Sequence, residues 1–362
     1  MHERVPAPGG NLAHTQRAAR IGWMLLAAFA LLHAAWVHGQ TPLATYDGAD
    51  RLERIVEGAK REGKLLIYTS MPVDDMREIA AAFKARHGIE VSVWRASSEK
   101  VVTRIIAEAR AGRFDADIVE TGGTDLEALF RERLLQPVRS PRHADLMAEA
   151  VPPGAGWVGT RVSIFVQAYN TALVKPAELP RRWEDLLDPR WKGRLAIEAE
   201  DAEWLSGVVG ALGEARGLAL FRAIVATNGV SVRKGHSQLA QLVAAGEIPL
   251  ALTVYDYKAL QLKHQGAPVE WFAIPPAIAK INGLGVPMRP KNPHAALLFY
   301  EFALGREGQQ ILLRRNYVPT RKDIETPQKA MPLRFIDAKA ALDADSARWE
   351  ALFGGIFRSG SR

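Results

Sequence analysis

Residues Gly246–Leu260 read GEIPLALTVYDYKAL, and the break in the middle of this stretch decides the fold. Ile248, Leu250, Ala251, Leu252 and Val254 form a short, nearly continuous apolar run entered at Pro249. Such a run is the pattern of a strand buried on both faces of a parallel sheet. From Tyr255 onward the spacing of Ala259, Leu260 and Leu262 suits a helix, so Tyr255, Asp256 and Tyr257 fall at the strand's carboxyl end. In open α/β sheets ligands bind at that edge. Tyrosines at strand ends also serve simply to close a core, with the hydroxyl in water.

Working outward, the same alternation fills the first half of the chain. A helix is expected over Asp50–Lys60, a strand over Lys64–Thr69, and a helix over Val73–His87, whose Met76, Ile79, Ala80 and Phe83 share one face. Gly88 ends that helix. Strand Glu90–Arg95, helix Ser98–Ala111, strand Ala116–Glu120 and a helix led in by Thr121–Asp125 follow. This β-α-β-α order argues for a mostly parallel sheet flanked by helices. Ser163–Tyr169 reads as a long strand suited to pass between lobes. A second alternation then runs through helices at 202–212, 215–227 and 237–245 to the opening stretch, strand Val269–Ala273 and strand Asn282–Met288. Helices over 293–304 and 308–314 come next, then one weak helix around 338–352 and a frayed polar end.

At 362 residues the chain exceeds one ordinary core, so two lobes are expected. Apolar residues make up 48% and charged residues 24%, the balance of a globular protein. Arg17 and Arg20 precede the apolar run Ile21–Ala35, and small residues surround Gly39, which is a signal-peptide pattern with a mature start near Gln40. Export is therefore expected. Residues 1–39 hold Arg4, Arg17 and Arg20 against Glu3, so without them the net charge falls from +7 to about +5. Lacking clustered Lys/Arg tracts, that surface is not a nucleic-acid footprint. The absence of cysteine excludes disulfides, thiolate metal ligands and a lipidated cysteine.

Several segments together carry a family resemblance: KREGKLLIYTS at Lys60–Ser70, FDADIVETGG at Phe114–Gly123, YNTALV at Tyr169–Val174, WEDLLDPRWKGRLAI at Trp183–Ile197 and NPHAALLFYEFALGREGQQIL at Asn292–Leu312. In this order they resemble the substrate-binding proteins of ABC importers, and among them the branch of ferric-ion-binding proteins. The likeness runs from about Leu52 to about Thr320. It implies a two-lobed periplasmic-binding-protein type II fold, with crossing hinge strands and a ligand in the interlobe cleft. The lobes are expected at 40–167 with 272–300, and at 168–271 with 301–362. It further implies a monomer that delivers a small-molecule or metal-ion ligand to a permease in the inner membrane.

Carried over residue by residue, the family's site is half present. Its two adjacent tyrosines correspond to Tyr255-Asp256-Tyr257, with Tyr257 retained and Asp256 in place of a partner. Its histidine after the first strand falls on Pro72, and its glutamate falls near Gly122, the nearest acid being Glu120. Its anion-binding Ser-Gly-Ala falls on Asp201-Ala202-Glu203, where a carboxylate would repel an anion. Its Asn-Ser falls on His236-Ser237. The expected ligand-binding set is Thr69, Ser70, Glu120, Asp201, Glu203, His236, Ser237, Tyr255, Asp256 and Tyr257, and a metal would use Tyr257, Tyr255, Glu120 and Asp201.

Phenolate and carboxylate are hard donors, so Fe3+ is one expected ligand, with no cofactor required. The alternative is an organic cation or polar solute packed by aromatics such as Tyr68, Trp94 and Trp204 and taken for uptake or for a membrane sensor. Arg95, Arg233, Lys234 and Lys258 keep an anionic ligand as a third reading. No nucleophile elbow, phosphate-cradling loop or His-Glu-x-x-His is present, so an enzyme is not expected.

Overall fold

The computed structural model describes residues 1–2, 42–154, 156–343 and 346–358. The expected signal peptide lies outside the described residues. Within Met1–Tyr46, Pro42–Tyr46 form a turn in which the Tyr46 amide donates to the Pro42 carbonyl at 3.0 Å. The other unit, Asp47–Arg362, carries the fold described below.

It opens with α1 (Arg51–Glu62), β1 (Lys64–Thr69), α2 (Val73–His87), β2 (Glu90–Arg95), α3 (Ser98–Arg110), β3 (Ile118–Gly122) and α4 (Gly123–Arg131). On α2 the expected face of Met76, Ile79, Ala80 and Phe83 is buried, and Gly88 ends the helix in the left-handed region at φ 73°. β1 pairs in parallel with both β2 and β3.

The second half contains β6 (Leu195–Glu198), α5 (Ala202–Leu212), α6 (Glu214–Asn228), β7 (Ser231–Arg233), α7 (His236–Ala244), β8 (Leu250–Tyr255), α8 (Asp256–His264) and β9 (Val269–Phe272). There β6 pairs in parallel with β7 and β8. Trp183, Trp204 and Phe221 pack edge to face at the centre of this half, with ring centroids 5.4–5.5 Å apart. The first half has its own core around Val101, Val119, Leu126 and Trp157.

Two antiparallel strands join the halves. β5 (Val158–Asn170), buried along its whole length, pairs with β10 (Ala277–Pro287) in its first part and with β8 and β9 in its second. β10 in turn pairs with β3. The path is therefore β2-β1-β3-β10-β5-β8-β6-β7, with the expected crossing segment at its centre. The strands meet so closely that a Cβ on Gly283 would stand 1.9 Å from the Val158 carbonyl oxygen, so glycine is required there.

The expectation that 301–362 belongs to the second lobe does not match the packing. α9 (Pro293–Leu304) lies on α1, and Arg51 bonds Glu301 at 2.6 Å. α10 (Arg306–Arg314) lies on α2, where Arg315 and Tyr317 both bind the buried Asp75. These bonds to one buried carboxylate tie the segment to α2 of the first lobe. After β12 (Leu333–Phe335) pairs with β10, α11 (Ala338–Asp343) sits on α4 of the first lobe and α12 (Ser346–Phe353) on α5 of the second. Phe353 and Phe357 are buried in the second core, and the polar end expected to fray lies outside the described residues.

Candidate ligand-binding cleft

Between the halves lies a cleft of about 1350 Å³. The opening stretch forms part of its wall. β8 ends at Tyr255 and α8 begins at the next residue, so the change from extended to helical backbone falls on the Tyr-Asp-Tyr sequence. That change brings the two tyrosines together with rings 5.8 Å apart and 15° from parallel. Tyr255 also stacks on His236 at 3.9 Å, and Tyr257 on Tyr317 at 4.2 Å. Burial raises the Tyr255 phenol well above its ordinary value. Burial likewise pushes Tyr257 up to about 12, against the opposing pull of Arg161 and of a hydrogen bond with Tyr317.

Asp256 turns away from the cleft. It is fully buried, accepts the Ile164 amide at 3.1 Å, and is raised by burial to about 7. Its alternation with the flanking tyrosines explains the orientation.

Glu120 is also absent from the cleft wall. Its carboxylate is taken up by Arg161 and the Thr69 hydroxyl, with the Met71 amide at 3.3 Å. Thr69 is buried in the same network. The expected set Tyr257, Tyr255, Glu120 and Asp201 is thus not assembled, because Arg161, reaching in from β5, neutralises Glu120 first. Of the first-strand residues Ser70 does line the cleft.

The second wall is built by the ends of β6 and β7 and the starts of α5 and α7. It presents Asp201, Glu203, His236 and Ser237, as expected, together with Glu198. His236 Nε2 lies 3.1 Å from Asp201 Oδ1. Burial lowers the imidazole's proton affinity, but Asp201 and Glu198 more than offset this and leave it raised. Glu198 accepts the Gly235 amide at 2.7 Å and the Glu200 amide at 2.6 Å, and burial together with Asp201 raises its carboxyl.

Lys280 rises from β10 at the cleft floor and pairs with Glu203. Glu203 also accepts the Thr124 hydroxyl of α4 at 3.2 Å, a bond that spans the two halves. Beside them Asp125 is raised by burial to about 6, with Lys280 opposing and Glu203 adding to the shift. Sequence reasoning missed Glu198, Lys280, Thr124 and Asp125. The strand-end rule that singled out Tyr255 also applies to Glu198 at the end of β6. Lys280 carried no such signal, since the expected strand began only at Asn282. The aromatics expected to pack an organic ligand lie elsewhere: Tyr68 and Trp94 hold Arg104, and Trp204 is in the second core.

Residues 65–317 match the family model described as "Bacterial extracellular solute-binding protein". The chain belongs to that family. This solute-binding protein is 26% identical over 286 residues to "Iron uptake protein A1" of Synechocystis, covering 73% of this chain and 77% of that one. It is 24% identical over 318 residues to the "Fe(3+)-binding periplasmic protein" of Serratia marcescens, covering 82% and 90%. Among solved structures, iron-bound HitA from Pseudomonas aeruginosa superimposes with a TM-score of 0.71 at 21% identity, over 80% of this chain and 99% of that one. AfuA from Actinobacillus pleuropneumoniae, with fructose-6-phosphate bound, gives 0.71 at 22% identity, over 82% and 99%. At these identities the structural likeness speaks for the type II periplasmic-binding fold.

Proposed function

We propose that this solute-binding protein captures a cationic ligand in the periplasm, with ferric iron as its first candidate, and passes it to an ABC permease in the inner membrane. The observation that carries the reading is the charge of the cleft. Among the described residues eight carboxylates line it (Glu99, Asp125, Glu198, Glu200, Asp201, Glu203, Asp337 and Glu350) against six Lys and Arg side chains (Arg95, Arg161, Lys234, Lys280, Arg334 and Arg358). Glu198 and Asp201 are buried among them, and carboxylates in excess favour a ligand that brings positive charge. Tyr255 and Tyr257 add phenol oxygens on the same wall, and a bound hard cation would deprotonate them despite their raised values. The iron named in the relatives from Synechocystis and Serratia points the same way. Closure of the lobes about β5 and β10 would bring the walls together around the ion.

An organic cation is the second reading, favoured by the cleft's volume of about 1350 Å³ and by Phe335 and Trp349 on its rim.

The test is titration of the metal-stripped protein with ferric nitrilotriacetate. A tyrosinate-to-iron charge-transfer band should rise in the visible and should be lost in Tyr257→Phe. Absence of both colour and bound iron at saturation would reject the ferric reading. Native mass spectrometry of protein taken from the periplasm would then identify the cation in its place.

A further inference from the structure

The second wall carries a donor cluster that includes neither tyrosine. One donor atom each from Glu198, Asp201 and His236 lies within 4.8 Å of the others. We infer that these three residues form a site for a single first-row divalent transition-metal ion, separate from the two tyrosines.

Three observations support the assignment. The carboxylates are 2% and 3% exposed, so two like charges lie side by side out of water with one imidazole between them. The neighbouring lysines are engaged elsewhere, Lys234 with Glu200 at 2.8 Å and Lys280 with Glu203. A divalent ion would compensate both charges where the imidazolium compensates one.

The second observation is unspent bonding capacity. Asp201 Oδ2 is buried and has no hydrogen-bond partner among the described residues, so this carboxylate keeps an oxygen for a ligand. Buried polar atoms of native proteins are nearly always satisfied, so an orphan carboxylate oxygen in a cleft wall marks a missing ligand.

The third is geometry. Two adjacent ligand atoms on one metal, each about 2.1 Å from it, stand roughly 3.0–3.4 Å apart. The His236 Nε2 to Asp201 Oδ1 separation of 3.1 Å falls in that range, and the Glu198 donor, within 4.8 Å of both, would move in by a side-chain rotation to complete the set. Glu198 is meanwhile oriented by the two backbone amides it accepts, Gly235 and Glu200, which act as supporting contacts around a ligand. One nitrogen with two carboxylates suits Mn2+, Fe2+, Co2+ or Zn2+ better than an all-oxygen cation such as Ca2+. Water or the transported solute would complete the coordination from the cleft.

The experiment is calorimetric titration of the metal-stripped, full-length mature protein with Zn2+ alone. Co2+ absorption reports nitrogen and oxygen coordination in the same samples. Wild type should bind one ion, and His236→Ala and Glu198→Gln should each weaken it at least tenfold. Both variants should respond to ferric nitrilotriacetate as wild type does, which separates this site from the ferric reading. Thermal melting confirms that each variant is folded, and Glu198→Gln, which keeps the shape, decides the matter if His236→Ala is not. No binding by wild type, unchanged affinity in the folded cluster variants, or a ferric response lost together with Zn2+ binding would each overturn the assignment.

Discussion

The two lobes treat their buried acids in opposite ways. On the first-lobe side Glu120 is enclosed by Arg161, Thr69 and the Met71 amide, with both oxygens engaged. On the second-lobe side Asp201 meets only His236 and keeps one buried oxygen without a partner. An acid whose bonds are all made within the protein holds the fold, whereas an acid with bonding capacity left over can serve a ligand. The difference cannot be read from residue type or burial, since both are nearly inaccessible.

The strongest way to break this comparison is to remove each acid in turn. Glu120→Ala leaves Arg161 buried and unpaired, so urea denaturation should show a loss of about 3–5 kcal/mol. Asp201→Ala should cost under about 1 kcal/mol, because His236 can release its proton, yet it should sharply weaken binding of a cationic ligand. If Glu120→Ala instead unfolds at the same urea concentration as wild type, the structural role of Glu120 is refuted.

Asp256 sharpens the contrast by pH. Its folded value of about 7 lies above the unfolded 3.8, so the fold favours the protonated acid. The resulting stability is fully present below about 3.8 and is lost as pH rises through about 7. Asp256→Asn should therefore gain at least about 1 kcal/mol over wild type at pH 8, with no comparable gain at pH 3.5. Parallel denaturation curves at both pH values, offset by a constant amount, would show that Asp256 does not titrate in this window.

Smaller effects separate the tyrosines. Tyr257 is hydrogen-bonded with Tyr317. Tyr257→Phe should thus lose about 1 kcal/mol, measurable by thermal melting, while Tyr255→Phe should melt like wild type. Equal losses would mean that the two hydroxyls stand in equivalent surroundings.

The smallest effect concerns the bond between the walls. Thr124→Ala removes the hydroxyl bonded to Glu203, and small-angle scattering of the ligand-free protein should show a slightly larger radius of gyration. An unchanged radius would mean that this bond does not help hold the lobes together.

Much of the frame was legible along the chain. Lys64–Thr69, Val73–His87, Glu90–Arg95, Ala202–Leu212 and Pro293–Leu304 have the bounds read from their hydrophobic spacing. The meeting of Tyr255 with Tyr257 also followed from local rules, since a strand-to-helix change brings i and i+2 side by side. By contrast, the assignment of Glu120 to the cleft failed on a residue distant in sequence, because Arg161 arrives on a crossing strand. The same holds for Lys280, whose importance comes from Glu203 and Asp125 brought to it by two different helices.

By itself, then, the sequence determined the order and type of the elements, the strand ends that face the cleft and the family. These rest on periodicity and on motifs within short windows. Tertiary structure alone decided which acids are spent and which are free, and where the segment after Glu301 docks. Neutralising a buried charge depends on partners a few ångströms away in space, which for Glu120 and Arg161 are 41 positions apart along the chain and for Asp75 and Tyr317 are 242.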